Sequence, residues 1–210
     1  MKILSHRGYW NKLIDKNSVE AFSRSFQLGF GTETDVRDAL GVLSISHDPP
    51  VGGELVFEKI LEIYSEYDKK LPLALNVKAD GLQIMASDLL QHYSITEYFF
   101  FDMSVPDMIG YHKRGLRFFT RQSELENSPP MLKESAGIWM DHFYSNWITE
   151  SDVASYLEQG KQVCLVSPEL HKRDHRSFWE LLTTWDCRND DGLMLCTDFP
   201  EEALANLTTN

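Results

Sequence analysis

Short apolar runs alternate with longer amphipathic stretches along the whole chain. This alternation predicts short strands separated by helices. The predicted strands are Ile3–Ser5, Gly31–Val36, Leu73–Val77, Tyr98–Phe101, Arg117–Thr120, Gly137–Met140, Gln162–Val166 and Gly192–Cys196. The predicted helices are Ser18–Leu28, Phe57–Tyr67, Asp80–His92, Val105–Lys113, Glu150–Gln159 and Asp174–Trp185. A further apolar segment, Val42–Ser46, indicates a short hairpin or loop strand.

Residues at the ends of these segments support the helix assignments. Ser18 precedes an apolar-periodic run, where its hydroxyl can accept a free backbone N–H of the first helical turn. Gly29, Gly115 and Gly160 follow helical runs, where a left-handed C-terminal cap is expected.

Eight β-then-α repeats predict the α/β class and a compact (β/α)8 barrel of the TIM type, formed by residues 1–210 as a single domain. An open doubly wound sheet is the alternative. Polar residues recur just past the strands, which favours the barrel because strand ends converge on one face there. These residues are His6, Glu33, Asp35, Lys78, Asp102, Asp141, Glu169 and Asp198.

Composition limits the partners. The chain has 210 residues, and 20 Lys and Arg face 32 Asp and Glu, for a formal net charge of -12. Such an acidic surface argues against nucleic acid and anionic membranes as partners. We therefore expect a small-molecule ligand, and a monomer or homodimer. An anionic ligand would need local positive charge to overcome the global field.

The location expected from the sequence is cytoplasmic. The chain has an odd number of cysteines, and no two of them have the spacing of metal ligands; they are Cys164, Cys187 and Cys196. This is typical of reduced cysteines in a cytosolic chain. A polar motif, Ser5–Gly8, follows Met1–Leu4 directly and leaves no room for a signal peptide. No apolar run approaches the roughly 20 residues that span a bilayer.

Two carboxylates dominate the second motif, Glu33–Val36. Glu33 and Asp35 are two residues apart on a predicted strand, so both point to the same face. Two adjacent carboxylates repel each other unless a cation or a proton lies between them. Hard oxygen ligands on a buried face favour Mg²⁺ or Ca²⁺, with Mn²⁺ as a further candidate. A solvated edge strand is the alternative interpretation.

Two histidines and an arginine lie close to those carboxylates in the sequence. Arg7 follows His6 at the end of the first strand, and its planar fork of donors matches two phosphate oxygens. His47 precedes Asp48 in a later loop. Cleavage of a phosphodiester needs one group to take a proton and one to give a proton, which two histidines can supply. Ordinary packing at a strand end and an ordinary loop pair are the alternatives.

The chain resembles the glycerophosphodiester phosphodiesterase family. The matching segments are Ser5–Gly8, Asn17–Phe22, Gly29, Glu33–Val36, Gly41, Ser46–Asp48, Leu75–Lys78 and Gly192–Pro200. The resemblance implies a TIM-type barrel, a divalent cation and hydrolysis of a phosphodiester. It also implies an acid–base pair, His6 and His47, and metal ligation by Glu33 and Asp35. Arg7 and Lys78 are implied as phosphate contacts.

Two residues depart from the family pattern. Asn76 stands where the family usually has a glutamate that ligates the metal; its amide oxygen can coordinate but brings no charge. Another carboxylate would have to restore that charge, and the candidates from later strand ends are Asp141, Asp102 and Glu169. Lys16 stands where the family commonly has glutamate. Together these changes indicate a more anionic substrate or an altered leaving group.

Later strand ends supply the predicted substrate contacts, Asp102, Arg121 and Glu169. Arg121 is suited to a second phosphate or a carboxylate, and Glu169 to sugar hydroxyls. Surface loops are the alternative interpretation of each segment.

Three functions remain open from the sequence. The first is a metal-dependent phosphodiesterase acting on a soluble glycerophosphodiester or a related sugar- or nucleotide-linked diester. The second is a cyclising phospholipase of the sphingomyelinase D type, which needs an exposed apolar rim. The third is a catalytically weakened protein that binds a phosphorylated ligand, as the missing glutamate at Asn76 would allow.

Overall fold

The computed structural model describes residues 1–67 and 70–208. Its strands are β1 (Lys2–His6), β2 (Gly31–Ala39), β3 (Val42–Ile45), β4 (Leu73–Val77), β5 (Tyr98–Phe101), β6 (Phe119–Gln122), β7 (Gly137–Met140), β8 (Gln162–Val166) and β9 (Leu193–Thr197). Its α-helices are α1 (Val19–Gln27), α2 (Phe57–Ser65), α3 (Gln83–His92), α4 (Val105–Lys113), α5 (Glu150–Glu158), α6 (Arg176–Thr183) and α7 (Pro200–Thr208). They form two compact units, residues 6–118 and residues 1–5 with 119–210.

The unit of residues 6–118 is built around β2. This strand pairs in parallel with β4, and β4 pairs in parallel with β5. On its outer half β2 pairs with β3 in an antiparallel hairpin, which confirms the predicted loop strand. Helix α1 begins where predicted, because the Ser18 hydroxyl accepts the backbone N–H of Ala21. Its buried face packs on α2, where the rings of Phe26 and Tyr64 meet edge to face at 5.2 Å.

The second unit is a parallel sheet in the order β1-β9-β8-β7-β6. Register pairs Ser5 with Thr197, at the carboxyl ends of β1 and β9. Helix α5 starts at a capping box in which the side chains and backbones of Thr149 and Asp152 satisfy each other. Helix α6 buries Phe178, Trp179 and Leu182.

Most predicted elements agree with the structure. The bounds of β4, β5, β7, β8 and α4 are those predicted. Gly29, Gly115 and Gly160 have positive φ and follow helices as expected. Strand β6 lies two residues later than predicted, because pairing with β7 extends to Gln122, past the apolar run. Between β6 and β7, where the eight-repeat pattern calls for a helix, residues 123–136 form turns instead. Helix α7 was not predicted.

No helix in the described part of the chain is long and apolar enough to cross a bilayer. The three cysteines are unbonded thiols, two of them buried.

Candidate active site

Two buried carboxylates on β2 form the centre of the site. Glu33 and Asp35 are 2% and 0% exposed, and the two-residue period of the strand places both on one face. The parallel register between β2 and β4 pairs Asp35 with Asn76, which is also buried. A third oxygen donor therefore stands on the strand next to the carboxylates.

The end of β1 and the turn after it bring His6 and Arg7 to this pair. The backbone N–H of Arg7 donates to the carbonyl of Glu33 at 2.9 Å, and that of Gly8 donates to the Thr32 hydroxyl at 3.0 Å. Gly8 has φ +77°, and a Cβ there would lie 2.8 Å from the Cβ of Ala21. Only glycine fits this turn without displacing α1.

Two cations neutralise Asp35. Arg7 Nε lies 2.8 Å from Asp35 Oδ2, and Lys78 Nζ lies 3.5 Å from Asp35 Oδ1. Both are ion pairs without a well-aligned N–H···O bond, because neither oxygen of Asp35 has a hydrogen-bond partner among the described residues. His6 Nε2 lies 3.9 Å from Glu33 Oε2. The two predicted phosphate contacts and one predicted histidine are thus brought to the carboxylate pair.

Burial and the neighbouring Asp35 carboxylate raise the pKa of Glu33 to about 8. Hence the pair resists carrying two full negative charges when no cation is bound. Four buried oxygens lack a hydrogen-bond partner within the described residues: Glu33 Oε2, Asp35 Oδ1, Asp35 Oδ2 and Asn76 Oδ1. Hard oxygens that make no hydrogen bond fit a divalent cation.

Across residues 1–67 and 70–208, no group of three or more His, Cys, Asp or Glu side chains could hold a metal ion. The candidate set here is two carboxylates and an amide, so it carries less charge than a set of three carboxylates would.

His47 lies two residues beyond β3. The hairpin places it, because the backbone N–H of Ser46 donates to the carbonyl of Asp35 at 3.2 Å. Its Nδ1 lies 2.9 Å from Asp48 Oδ1, and its side chain is about half exposed. The hydrogen bond from His47 lowers the pKa of Asp48, and the charges of Arg7 and Arg37 lower it further. The loop therefore lies within the electrostatic reach of both arginines.

Asp102 immediately follows β5, whose residue Phe101 is in register with Asn76. It adopts φ +66° and is partly buried. Asp102 therefore follows a strand paired with the site strand β4, and its predicted role as a substrate contact stays a prediction.

In the other unit, Asp141 has its own partners. Its Oδ1 lies 2.8 Å from His171 Nε2, and its Oδ2 accepts from Trp139 Nε1 at 3.1 Å. The ring of His171 packs against Phe143 at 4.5 Å. Both carboxylate oxygens are thus engaged within this unit, and metal ligation by Asp141 stays a prediction.

Glu169 and Arg121 are also paired within that unit. Glu169 accepts from the hydroxyls of Ser167 and Thr197, and from the backbone N–H of Asp198 at 3.1 Å. Arg121 Nε donates to Glu126 at 2.5 Å. Both side chains tie the ends of strands to nearby loops. Their predicted substrate contacts would have to compete with these bonds.

Sequence reasoning overlooked Arg37, which shares the β2 face of Glu33 and Asp35. The same two-residue spacing that identified the carboxylate pair would have found it. It also overlooked the contact of His171 with Asp141, which joins residues far apart in sequence and leaves no local signal.

Similar proteins are found by comparing structures but not by comparing sequences. No family model and no curated protein matches the chain. A candidate glycerophosphodiester phosphodiesterase from Galdieria sulphuraria has a TM-score of 0.76 at 16% identity, covering 99% of this chain and 98% of that one. The glycerophosphodiester phosphodiesterase from Agrobacterium tumefaciens has a TM-score of 0.70 at 17% identity, covering 98% and 99%.

A phosphodiesterase from Oleispira antarctica, solved with its product sn-glycerol-3-phosphate, has a TM-score of 0.70 at 14% identity, covering 100% of this chain and 97% of that one. At these identities the likeness concerns the fold. The predicted α/β class and (β/α)8 TIM-type barrel are confirmed, and the doubly wound alternative is wrong. The chain therefore has the (β/α)8 fold of these phosphodiesterases.

Proposed function

We propose that the protein is a metal-dependent phosphodiesterase of the glycerophosphodiester phosphodiesterase family. The observation that carries this proposal is the gathering of His6, Arg7, Asn76 and Lys78 around a buried carboxylate pair, in a fold shared with such enzymes. The proposed substrate is a small glycerophosphodiester, in keeping with the glycerol phosphate product held by the neighbour from Oleispira antarctica. A related sugar- or nucleotide-linked diester fits the same chemistry.

Glu33, Asp35 and Asn76 are the proposed cation ligands, since each has a buried side-chain oxygen that makes no hydrogen bond to a described residue. Mg²⁺ and Ca²⁺ suit an all-oxygen set, and Mn²⁺ is a further candidate. When bound, such a cation neutralises charge that develops on the phosphate during cleavage. Asp141 remains a proposed source of the charge that Asn76 lacks.

Arg7 and Lys78 are proposed to hold the phosphate. The Arg7 side chain makes no hydrogen bond to another described residue, so its guanidinium can donate to an anion while Nε faces Asp35. Lys78 adds a second positive charge beside the same carboxylate. Together they orient the diester and favour the negative charge of the transition state.

His47 and His6 are the proposed base and acid. Donation from His47 Nδ1–H to Asp48 leaves Nε2 as an acceptor, which can take the proton of the nucleophile. As the P–O bond to the leaving alcohol breaks, His6 gives a proton to the departing oxygen. The nucleophile is either water or a neighbouring substrate hydroxyl, and a transient cyclic phosphate in ³¹P NMR spectra would identify the latter.

The test measures turnover of glycerophosphocholine and bis-p-nitrophenyl phosphate in EDTA and with added Mg²⁺, Ca²⁺ or Mn²⁺. We expect turnover only with a cation, and a loss of about 100-fold or more in His6→Ala and in His47→Ala. The exposed His112→Ala is the matched control and should keep full activity. Undiminished turnover in both site variants would remove the histidines from the mechanism. Binding of sn-glycerol-3-phosphate without any turnover would favour the phosphate-binding alternative instead.

A lipid-directed variant of this chemistry has one observation in its favour. The loop after β1 carries Leu13 and Ile14, which are 72% and 86% exposed. Exposed apolar side chains of this kind are what a cyclising phospholipase of the sphingomyelinase D type needs to engage lipid. Turnover of lysophosphatidylcholine that falls in Ile14→Ser, with glycerophosphocholine turnover unchanged, would establish this second function.

We further propose that residues 1–210 act as one catalytic domain in the cytoplasm, as a monomer or homodimer. Unbonded Cys164, Cys187 and Cys196 support a reducing compartment. Fractionation of the native cells and light scattering of the purified protein test these two points.

A further inference from the structure

Arg37 is a cation on the site face of β2 that the proposed mechanism does not use. It lies two residues beyond Asp35 towards the carboxyl end of the strand, so its side chain leaves the same face. The residue is partly buried, and its Nε is buried without a hydrogen-bond partner among the described residues. Its Nη2 donates to the backbone carbonyl of His47 at a long 3.4 Å.

The guanidinium of Arg37 also lacks a counter-ion. Arg7, Arg117 and Arg121 each have a carboxylate oxygen within 4.0 Å, whereas Arg37, like Arg24, Arg173 and Arg188, has none that close among the described residues. Arg24 and Arg173 instead donate to backbone carbonyls at 2.8 and 2.6 Å, shorter than the 3.4 Å bond of Arg37. The chain has 32 acidic residues, so carboxylates that could pair with a cation are abundant. A partly buried positive charge without a partner is costly, and a bound anion would relieve that cost.

We propose that Arg37 forms an anion subsite for the part of the substrate beyond the phosphate that is cleaved. This inference rests on the proposed function and narrows its substrate class. The preferred substrate is a glycerophosphodiester whose second alcohol carries a further oxyanion, either a carboxylate or a phosphate. Such a group accepts two parallel N–H bonds from a guanidinium.

Position along the strand supports a subsite separate from the phosphate contacts. Two residues of extended chain span roughly 7 Å, which separates the backbone of Arg37 from that of Asp35, the residue that Arg7 contacts. The charges of both arginines act on Asp48. That aspartate is 88% exposed and its carboxylate faces His47, so it is a weak competitor for a bound oxyanion.

Two matched pairs of substrates test the subsite. Glycerophosphoserine differs from glycerophosphoethanolamine by a carboxylate, and glycerophosphoinositol 4-phosphate differs from glycerophosphoinositol by a phosphate. We expect wild-type kcat/KM to favour the anionic member of at least one pair by about 10-fold or more, as a charge-assisted contact would give. The pair that shows the preference identifies which oxyanion, carboxylate or phosphate, Arg37 binds.

Arg37→Gln should abolish this preference and leave turnover of the less anionic members within about 3-fold of wild type. Arg37→Lys, which keeps the charge but loses the fork, should retain part of the preference. Arg114→Gln, on an exposed arginine of the same unit, is the control and should change nothing. Equal losses on both members of a pair would show that Arg37 only supports the His47 loop, and would overturn the proposal.

The same variants are also compared by equilibrium binding of the four diesters, measured by calorimetry in EDTA. If no diester is turned over, the phosphodiesterase assignment fails. A binding preference for the anionic members that disappears in Arg37→Gln would still establish the subsite. Binding that is indifferent to the added oxyanion in wild-type protein would refute it.

Discussion

A divalent cation is expected to raise the unfolding temperature of the metal-free protein. In the residues described, four buried oxygens of Glu33, Asp35 and Asn76 have no hydrogen-bond partner. A buried polar group without any partner costs about 1–3 kcal/mol. The ion pairs of Asp35 with Arg7 and Lys78 reduce that cost for its two oxygens. Binding to the folded state alone lowers its free energy, and the gain grows with cation concentration.

The size of the shift follows from linkage. At a free cation concentration 100 times Kd, the folded state gains about 2.7 kcal/mol. A domain of this length gains about 2–4 °C in Tm for each kcal/mol. Scanning calorimetry in EDTA and in saturating Mg²⁺, Ca²⁺ or Mn²⁺ should therefore show a rise of roughly 5–11 °C for the preferred ion.

Two variants on β2 separate this site from general ionic effects. Asp35→Asn removes a buried carboxylate from the candidate ligand set, and the shift should disappear. Asp38→Asn removes an exposed carboxylate from the same strand, and the shift should persist. An equal shift in both variants, or no shift in wild-type protein at millimolar concentrations of any of the three ions, would refute the assignment of the cation site.

Three further outcomes follow from the structure. Asn76→Glu should lower the stability of the cation-free protein, because it places a third buried carboxylate beside the pair. It should also increase the rise in unfolding temperature that the cation causes. A smaller rise in calorimetry would mean that another group already supplies the charge. Gly8→Ala should lower the free energy of unfolding in urea by about 2–4 kcal/mol, since its Cβ would lie 2.8 Å from that of Ala21 at φ +77°. Gly41→Ala, also at positive φ but with nothing within 4 Å of the added carbon, should cost only about 1 kcal/mol, and equal losses would contradict the clash. Burial lowers the pKa of His142 to about 4, so the unfolded state binds more protons than the folded state between pH 4 and 6.5. The free energy of unfolding should therefore rise with pH over that range. The urea midpoint of His142→Gln should rise less steeply with pH than that of the wild type, and an equal slope would show that His142 is not the source.

Much of the fold could be predicted from the sequence, because the patterns that mark strands and helix ends are local. Strands β4, β5, β7 and β8 coincide with apolar runs whose ends are marked by polar residues. The Ser18 cap depends on atoms within a few residues of each other. The common face of Glu33 and Asp35 follows from strand geometry alone. The expectation of a cation beside them follows from the repulsion between two adjacent carboxylates.

Other features arise only when distant segments pair. The register of β2 with β4 sets Asn76 beside Asp35, and burial under the surrounding core raises the pKa of Glu33. The late start of β6 depends on pairing with β7, which an apolar count cannot detect.

Local periodicity thus determined which residues share a face, the fold class and the kind of chemistry that the chain can support. Tertiary pairing decided which carboxylates already have partners, as Asp141 has in His171, and that Arg37 lies within ion-pair distance of no carboxylate among the described residues. The physical reason is that backbone sterics act over a few residues, whereas desolvation and charge pairing depend on every segment that packs around a group.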